Sequence, residues 1–121
     1  PTKFLINDAC VREKKPFCHA GFLRFAGQAM TYVPGQGPCL RCLFGGVPPE
    51  ERAPSPAKFG VVGAVCGIFG SIEAAEAIKY IIGKGELLTG KLLTADALTM
   101  TFRKIAIPRD PDCPACGGRQ E

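Results

Sequence analysis

Between Gly60 and Ile82 apolar residues return at three- and four-residue steps, with Val61, Val65, Ile68, Ile72, Ala75, Ile78 and Ile82 on the repeat. That period marks one face of an α-helix and is the strongest structural signal in the chain. The first half of the segment is apolar all round, whereas Glu73, Glu76 and Lys79 give the second half a polar face, read as solvated or salt-bridged. Gly83 and Gly85 close it. Gly60, Gly63, Gly67 and Gly70 also fall at helical steps, leaving one face without side chains. Each glycine costs about 1 kcal/mol relative to alanine in a helix interior, so the stripe predicts a backbone packed close against it, from a sheet or another chain.

Elsewhere the pattern is shorter. Thr2 to Lys15 places Phe4, Leu5, Ala9 and Val11 among polar residues and ends in basic ones before Pro16, which predicts an amphipathic helix with its positive charge at the favourable end. Residues 16–32 turn β-like, with Phe17-Cys18-His19-Ala20-Gly21-Phe22 and Ala29-Met30-Thr31-Tyr32-Val33, and predict two or three short strands with glycine-bearing turns. In residues 91–107 Leu98, Met100 and Phe102 alternate with Thr99, Thr101 and Arg103. This predicts a β-hairpin turning at Asp96-Ala97, with a bulge where the phase changes at Arg103-Lys104.

Two stretches resist either period. Residues 34–59 hold more than half of the eleven prolines, and residues 109–121 form a polar tail. A long irregular segment inside a compact domain is usually functional. At 121 residues the chain fits one domain. The uncharged run from Phe59 to Ile72 falls short of the roughly twenty residues that span a bilayer, so no membrane helix is expected. The net charge of +4 is scattered: Arg12, Lys14, Lys15 and Arg24 are not interleaved with stacking aromatics and Trp is absent, which argues against nucleic acid as a partner. The first residues lack an initiator methionine and a signal layout and read as the middle of a gene product.

Seven cysteines is a high and odd count, and four of them form two Cys-x-x-Cys pairs, Cys39/Cys42 and Cys113/Cys116. A two-residue gap lets a tight turn present both sulfurs, and four thiolates suit a tetrahedral Zn²⁺. With its coordination sphere full, such an ion would be structural, clamping the middle loop to the tail. A redox pair is the rival reading, but it would be expected at a helix start after a strand rather than in proline-rich loops. The pattern suits a reducing, cytoplasmic compartment better than a secreted disulfide framework. Cys10, Cys18 and Cys66 lie in apolar neighbourhoods and read as small buried hydrophobes. His19 is the only histidine and reads as a core or hydrogen-bonding residue. No catalytic triad and no glycine-rich phosphate loop following a strand is encoded in these residues.

The blocks Lys3-Phe4-Leu5-Ile6-Asn7-Asp8-Ala9-Cys10, Pro38-Cys39-Leu40-Arg41-Cys42-Leu43-Phe44, Gly70-Ser71-Ile72-Glu73-Ala74-Ala75-Glu76-Ala77-Ile78-Lys79, Asp96 to Arg103 and Pro111-Asp112-Cys113-Pro114-Ala115-Cys116-Gly117 are ordered and plausibly spaced. Together they make the chain resemble the MoeB/ThiF/HesA family, bacterial relatives of ubiquitin-activating enzymes. The resemblance implies an α/β fold, the C-terminal half of a Rossmann-type adenylation domain, with mixed or antiparallel strands, two helices and a zinc-knuckle loop. Residues 1–121 would be one partial domain, with residues 34–59 as zinc-bearing and crossover loop and residues 109–121 as knuckle tail.

The family activates the C-terminal Gly-Gly carboxylate of a ubiquitin-like sulfur carrier as an acyl-adenylate, using ATP and Mg²⁺, for molybdopterin or thiamine synthesis. Its glycine-rich loop and catalytic aspartate lie upstream of the segment that this chain resembles. This chain would then contribute structural zinc, held by Cys39, Cys42, Cys113 and Cys116, together with carrier docking and homodimerisation, and would be inactive alone. The alternatives are a non-catalytic zinc-stabilised module that binds a ubiquitin-like partner, and a purely structural dimerisation domain.

One position departs from the family. Many members carry a crossover-loop cysteine before the glycine-rich helix, where Pro54-Ser55-Pro56 stands here. Proline has no nucleophile, so an enzyme containing this segment is expected to stop at the acyl-adenylate. Mass spectrometry of the full-length protein incubated with ATP and carrier, without reductant, should find no carrier adduct on any cysteine of this chain; an adduct on Cys66, Cys10 or Cys18 would overturn the expectation.

Overall fold

The computed structural model describes residues 2–44 and 62–117. Its elements are helix α1 (Thr2–Arg12), strands β1 (Phe17–Leu23) and β2 (Ala26–Tyr32), a short helix α2 (Leu40–Phe44), helix α3 (Gly63–Ile82), and strands β3 (Lys91–Asp96) and β4 (Thr101–Ala106). The four strands form one antiparallel sheet in the order β1-β2-β3-β4. The expected α/β class holds, and the strands described here are antiparallel rather than mixed.

Helix α3 covers one face of the sheet. Val65 and Phe69 pack there with Ala29, Leu88 and Ala95. The other face takes α1 and α2, where Phe4, Met30, Leu40 and Leu92 form a second cluster. Burial of both faces explains why Ala29 and Met30, adjacent on β2, are both fully enclosed.

Helices α1 and α3 each stop where a residue enters the left-handed region. In α1 that residue is Lys14, at φ 55°, with the Lys15 N–H reaching back to the Cys10 carbonyl at 2.8 Å. The helix therefore ends at Arg12 rather than running to Lys15. In α3 the residue is Gly83, at φ 69°, whose N–H bonds the Lys79 carbonyl at 2.9 Å. Asn7, wholly buried on α1, gains its partner from α2, as described below.

Of the two partners that the sequence suggests for the glycine stripe, the sheet is not the one; Gly60 lies outside the described residues. A Cβ on Gly63, Gly67 or Gly70 would meet nothing within 4 Å among the described residues, so the stripe faces away from the sheet. Close approach is instead permitted by a glycine on the strand: a Cβ on Gly27 of β2 would overlap the Phe69 ring. Periodicity finds the helix but not which of its faces is buried, because the apolar first half gives no polar side to reject.

Both hairpins also differ from expectation. β1 and β2 are joined by the two residues Arg24 and Phe25, with Arg24 at φ 57°, so no glycine makes this turn. β3 pairs with β4 in unbroken register from Lys91↔Ala106 to Asp96↔Thr101, with no bulge at Arg103-Lys104. The turn is residues 97–100, which takes Leu98 and Met100 out of the strand. Every residue of β4 is exposed among the described residues, so alternation there was never enforced by a buried face.

Glu76, read from the sequence as part of a solvated or salt-bridged face, is salt-bridged but buried. Its carboxylate accepts the Thr31 hydroxyl and the Leu88 N–H, each at 2.6 Å, and pairs with Lys79. These contacts tie α3 to β2 and to the chain returning toward β3, where Thr31 N–H also bonds the Leu88 carbonyl. Burial works to raise the Glu76 carboxyl, but Lys79, Thr31 and the Leu88 N–H outweigh it and hold it below the ordinary value. His19 is buried as expected, and burial followed by the Lys3 charge pushes its pKa down to about 4.

Both shifts make the fold acid-sensitive. A neutral, buried His19 stabilises above its ordinary pKa of 6.5, and this is lost as pH falls toward 4. The depressed Glu76 carboxyl stabilises above its ordinary value of 4.5 and loses that contribution on further acidification. Glu76→Ala should cost about 3 kcal/mol at neutral pH by stranding buried donors. Glu76→Gln should cost less and flatten the acid limb of stability, measured by urea unfolding across pH.

Candidate metal centre and its support

The two Cys-x-x-Cys pairs come together. Cys39 and Cys42 lie at the start of α2, Cys113 and Cys116 in the turn after β4, and all four sulfurs lie within 4.8 Å of one another. The Cys39–Cys113 and Cys42–Cys116 sulfurs are 3.6 and 3.3 Å apart, and Cys39–Cys42 4.0 Å. These separations bracket the roughly 3.8 Å edge of a tetrahedron whose metal–sulfur bonds are about 2.3 Å. They are far longer than the roughly 2.05 Å of a disulfide. The donor set and its spacing therefore fit one four-coordinate soft or borderline ion.

Each pair is shaped by local backbone. Cys42 N–H bonds the Cys39 carbonyl at 3.1 Å, and Gly117 N–H bonds the Cys113 carbonyl at 2.9 Å, closing a tight turn around each pair. A Cβ at Gly117 would sit 2.5 Å from the Cys113 carbonyl oxygen, so the second turn admits only glycine. Before it, the Asp110 side chain accepts the Asp112 N–H at 2.9 Å, an Asx turn that feeds the chain into Cys113. Val11 and Tyr32 pack with Cys39, Cys113 and Cys116, which keeps water from three of the sulfurs.

Helix α2 is only five residues long and is held from outside. The Asn7 side chain accepts the Leu40 N–H at 2.9 Å, satisfying the start of α2. Beside it, Asp8 takes Arg41 in a two-pronged pair, Nε at 2.7 Å and Nη2 at 2.8 Å, and the guanidinium lies 5.1 Å from the centre of the Phe4 ring. Asp8 is thereby held below, and Arg41 above, its ordinary pKa. Sequence reasoning assigned no role to Asn7, Asp8 or Arg41. The signal was present in Arg41, the only charged residue between Cys39 and Cys42.

On the tail, Arg109 Nη2 donates to the Cys116 carbonyl at 2.8 Å, while its buried Nε has no hydrogen-bond partner among the described residues. Burial raises the Cys39 thiol, and burial, then the neighbouring Cys42 and Cys39 sulfurs, push Cys116 up. Burial also works to raise Cys113, but the N–H groups of Cys116 and Ala115 and the adjacent sulfurs hold it below the usual thiol value.

The remaining cysteines separate. Cys18 is half-buried, and burial pushes its pKa up to about 11; burial also raises Cys10. Cys66 departs from its sequence reading: α3 begins at Gly63, so it sits in the first turn and is exposed rather than buried. His19 lies on β1, apart from the four sulfurs grouped here. Pro56 lies outside the described residues.

The ThiF family model matches residues 1–115 of this sequence. The chain belongs to the ThiF family. It is 45% identical over 117 residues to the SAMP-activating enzyme E1 of Haloferax volcanii, covering 97% of this chain and 43% of that protein. It is 46% identical over 120 residues to the adenylyltransferase and sulfurtransferase MOCS3 of Sus scrofa, covering 98% of this chain and 26% of that protein. Against the sulfur carrier protein adenylyltransferase of Thermus thermophilus it is 43% identical over 122 residues, covering 97% and 45%. The chain thus spans less than half the length of these relatives. Among solved structures, Escherichia coli MccB bound to MccA-N7isoASN matches 97% of this ThiF chain with a TM-score of 0.79 at 21% identity, over 38% of MccB. That likeness shows the fold.

Replacing Cys113 by serine should abolish stoichiometric metal binding and cost well more than the about 0.5 kcal/mol of an ordinary surface change. Metal content by mass spectrometry and the thermal midpoint check it. Gly117→Ala should weaken the site through the clash with the Cys113 carbonyl, without removing a ligand.

Proposed function

We propose that this chain is part of an ATP-dependent adenylyltransferase that activates the C-terminal carboxylate of a ubiquitin-like sulfur carrier. The observation that carries this reading is its end-to-end similarity, at 43 to 46% identity, to three proteins named as adenylyltransferases or as a SAMP-activating enzyme. ATP and Mg²⁺ belong to the activity of the whole protein; this chain's own contribution is a structural Zn²⁺ on Cys39, Cys42, Cys113 and Cys116, a docking surface and a dimer contact.

The chemistry of the donors supports zinc. Four sulfur ligands leave no open position for water, and the ion joins α2 to the tail after β4 instead of acting on substrate. Zn²⁺ would neutralise half of the charge of four thiolates, and the Arg109 guanidinium on the Cys116 carbonyl stands close to the remainder.

Two exposed apolar regions support the contact roles. Leu98, Met100, Phe102 and Ile105 project from the β3–β4 hairpin, whose outer strand also offers an unpaired edge among the described residues, a surface suited to a carrier. Ile78, Ile81 and Ile82 are exposed near the end of α3, and the open glycine stripe lies on the same helix; these suit a second copy or the rest of the domain. No helix among the described residues is long and apolar enough to cross a membrane.

The test is carrier-dependent exchange of labelled pyrophosphate into ATP. The full-length protein should catalyse it with a carrier ending in Gly-Gly and lose it when the carrier's last glycine is removed. Residues 1–121 alone should show none. Carrier binding by the full-length protein with no exchange would overturn the enzymatic reading in favour of a non-catalytic zinc-stabilised module.

A further inference from the structure

The four clustered sulfurs are unequal. Cys39, Cys113 and Cys116 are buried, whereas Cys42 keeps part of its surface in solvent. Nor is Cys42 nearest its sequence partner: Cys116 lies 3.3 Å away against 4.0 Å for Cys39, and Cys39 and Cys113 are 3.6 Å apart. The short approaches therefore run between the two loops.

We propose that Cys42 is the oxidant-reactive thiolate of this cluster and Cys116 its resolving partner, so that a peroxide converts the metal site into an inter-loop Cys42–Cys116 disulfide and releases the metal. The proposal rests on the metal reading above. A thiolate, not a thiol, attacks peroxide, and metal ligation holds these sulfurs as thiolates. The exposed sulfur meets the oxidant first.

The Cys42 sulfur attacks one peroxide oxygen, the O–O bond breaks, and hydroxide leaves a sulfenic acid. The Cys116 thiolate then attacks the Cys42 sulfur and displaces a second hydroxide. Two sulfurs lose two electrons, and one hydrogen peroxide becomes two waters after taking up two protons. The ion, reduced to Cys39 and Cys113 as ligands, is released. A second peroxide would join those two sulfurs by the same route. Because the new bonds cross between α2 and the tail, the clamp survives metal loss; a bond within either Cys-x-x-Cys pair would open it. A dithiol reductant with zinc restores the starting state.

The experiment treats the zinc-loaded full-length protein, carrying Cys66→Ser to remove the exposed thiol outside the cluster, with one equivalent of hydrogen peroxide. Zinc content is measured beforehand, release is followed with a chromophoric chelator, and disulfides are mapped by non-reducing peptide mass spectrometry after alkylation. The expected result is loss of one zinc and about two free thiols per peroxide consumed, with Cys42–Cys116 the main early disulfide. A main early Cys39–Cys42 or Cys113–Cys116 bond overturns the proposal, as does zinc retained after other thiols have oxidised. Protein that carries no zinc yet forms Cys42–Cys116 would sink the metal reading and keep the pairing, so the two failures are separable.

Discussion

Two segments 74 residues apart in sequence hold four sulfurs in one small volume, three of them on buried residues. Thiols at this spacing neither bond covalently nor ionise together without a counter-charge, since each new thiolate would repel the others in a poorly solvated place. A divalent ion would remove that conflict and turn crowding into binding energy. The consequences reach beyond the site. Fixing α2 against the tail also fixes α1, through Asn7 on the Leu40 N–H and Asp8 on Arg41, and so covers one face of the sheet.

The opposite face is held by different means. Phe69 occupies the space that Gly27 leaves on β2, and Glu76 gathers the Thr31 hydroxyl, the Leu88 N–H and Lys79 around one carboxylate. A single buried acid thereby joins helix, strand and returning connection. Such a group is favourable only while every partner is present, which ties the orientation of α3 to the register of the 83–90 segment. The sheet is thus held on one side through the Asn7 and Asp8 contacts that join α1 to α2 and on the other by a satisfied carboxylate.

What is left open matches a protein that works with neighbours. The described strands end in a β4 exposed along its whole length, and α3 carries isoleucines and bare glycines outward. Exposed apolar surface of this kind is where the proposed contacts would form.

The four cysteines that cluster could be singled out from spacing alone, because a Cys-x-x-Cys turn is a local geometry and two such pairs suit one shared site. The long helix and the α/β class were equally legible, since periods of 3.6 and 2 are properties of the chain itself. Only the tertiary structure decided which helix face is buried, that Glu76 lies inside and Cys66 outside, and that Asn7, Asp8 and Arg41 carry α2. Those choices depend on partners far along the chain, as with Thr31, 45 residues from Glu76. A helix apolar on all sides does not record which side will meet the sheet; the space left by Gly27 does.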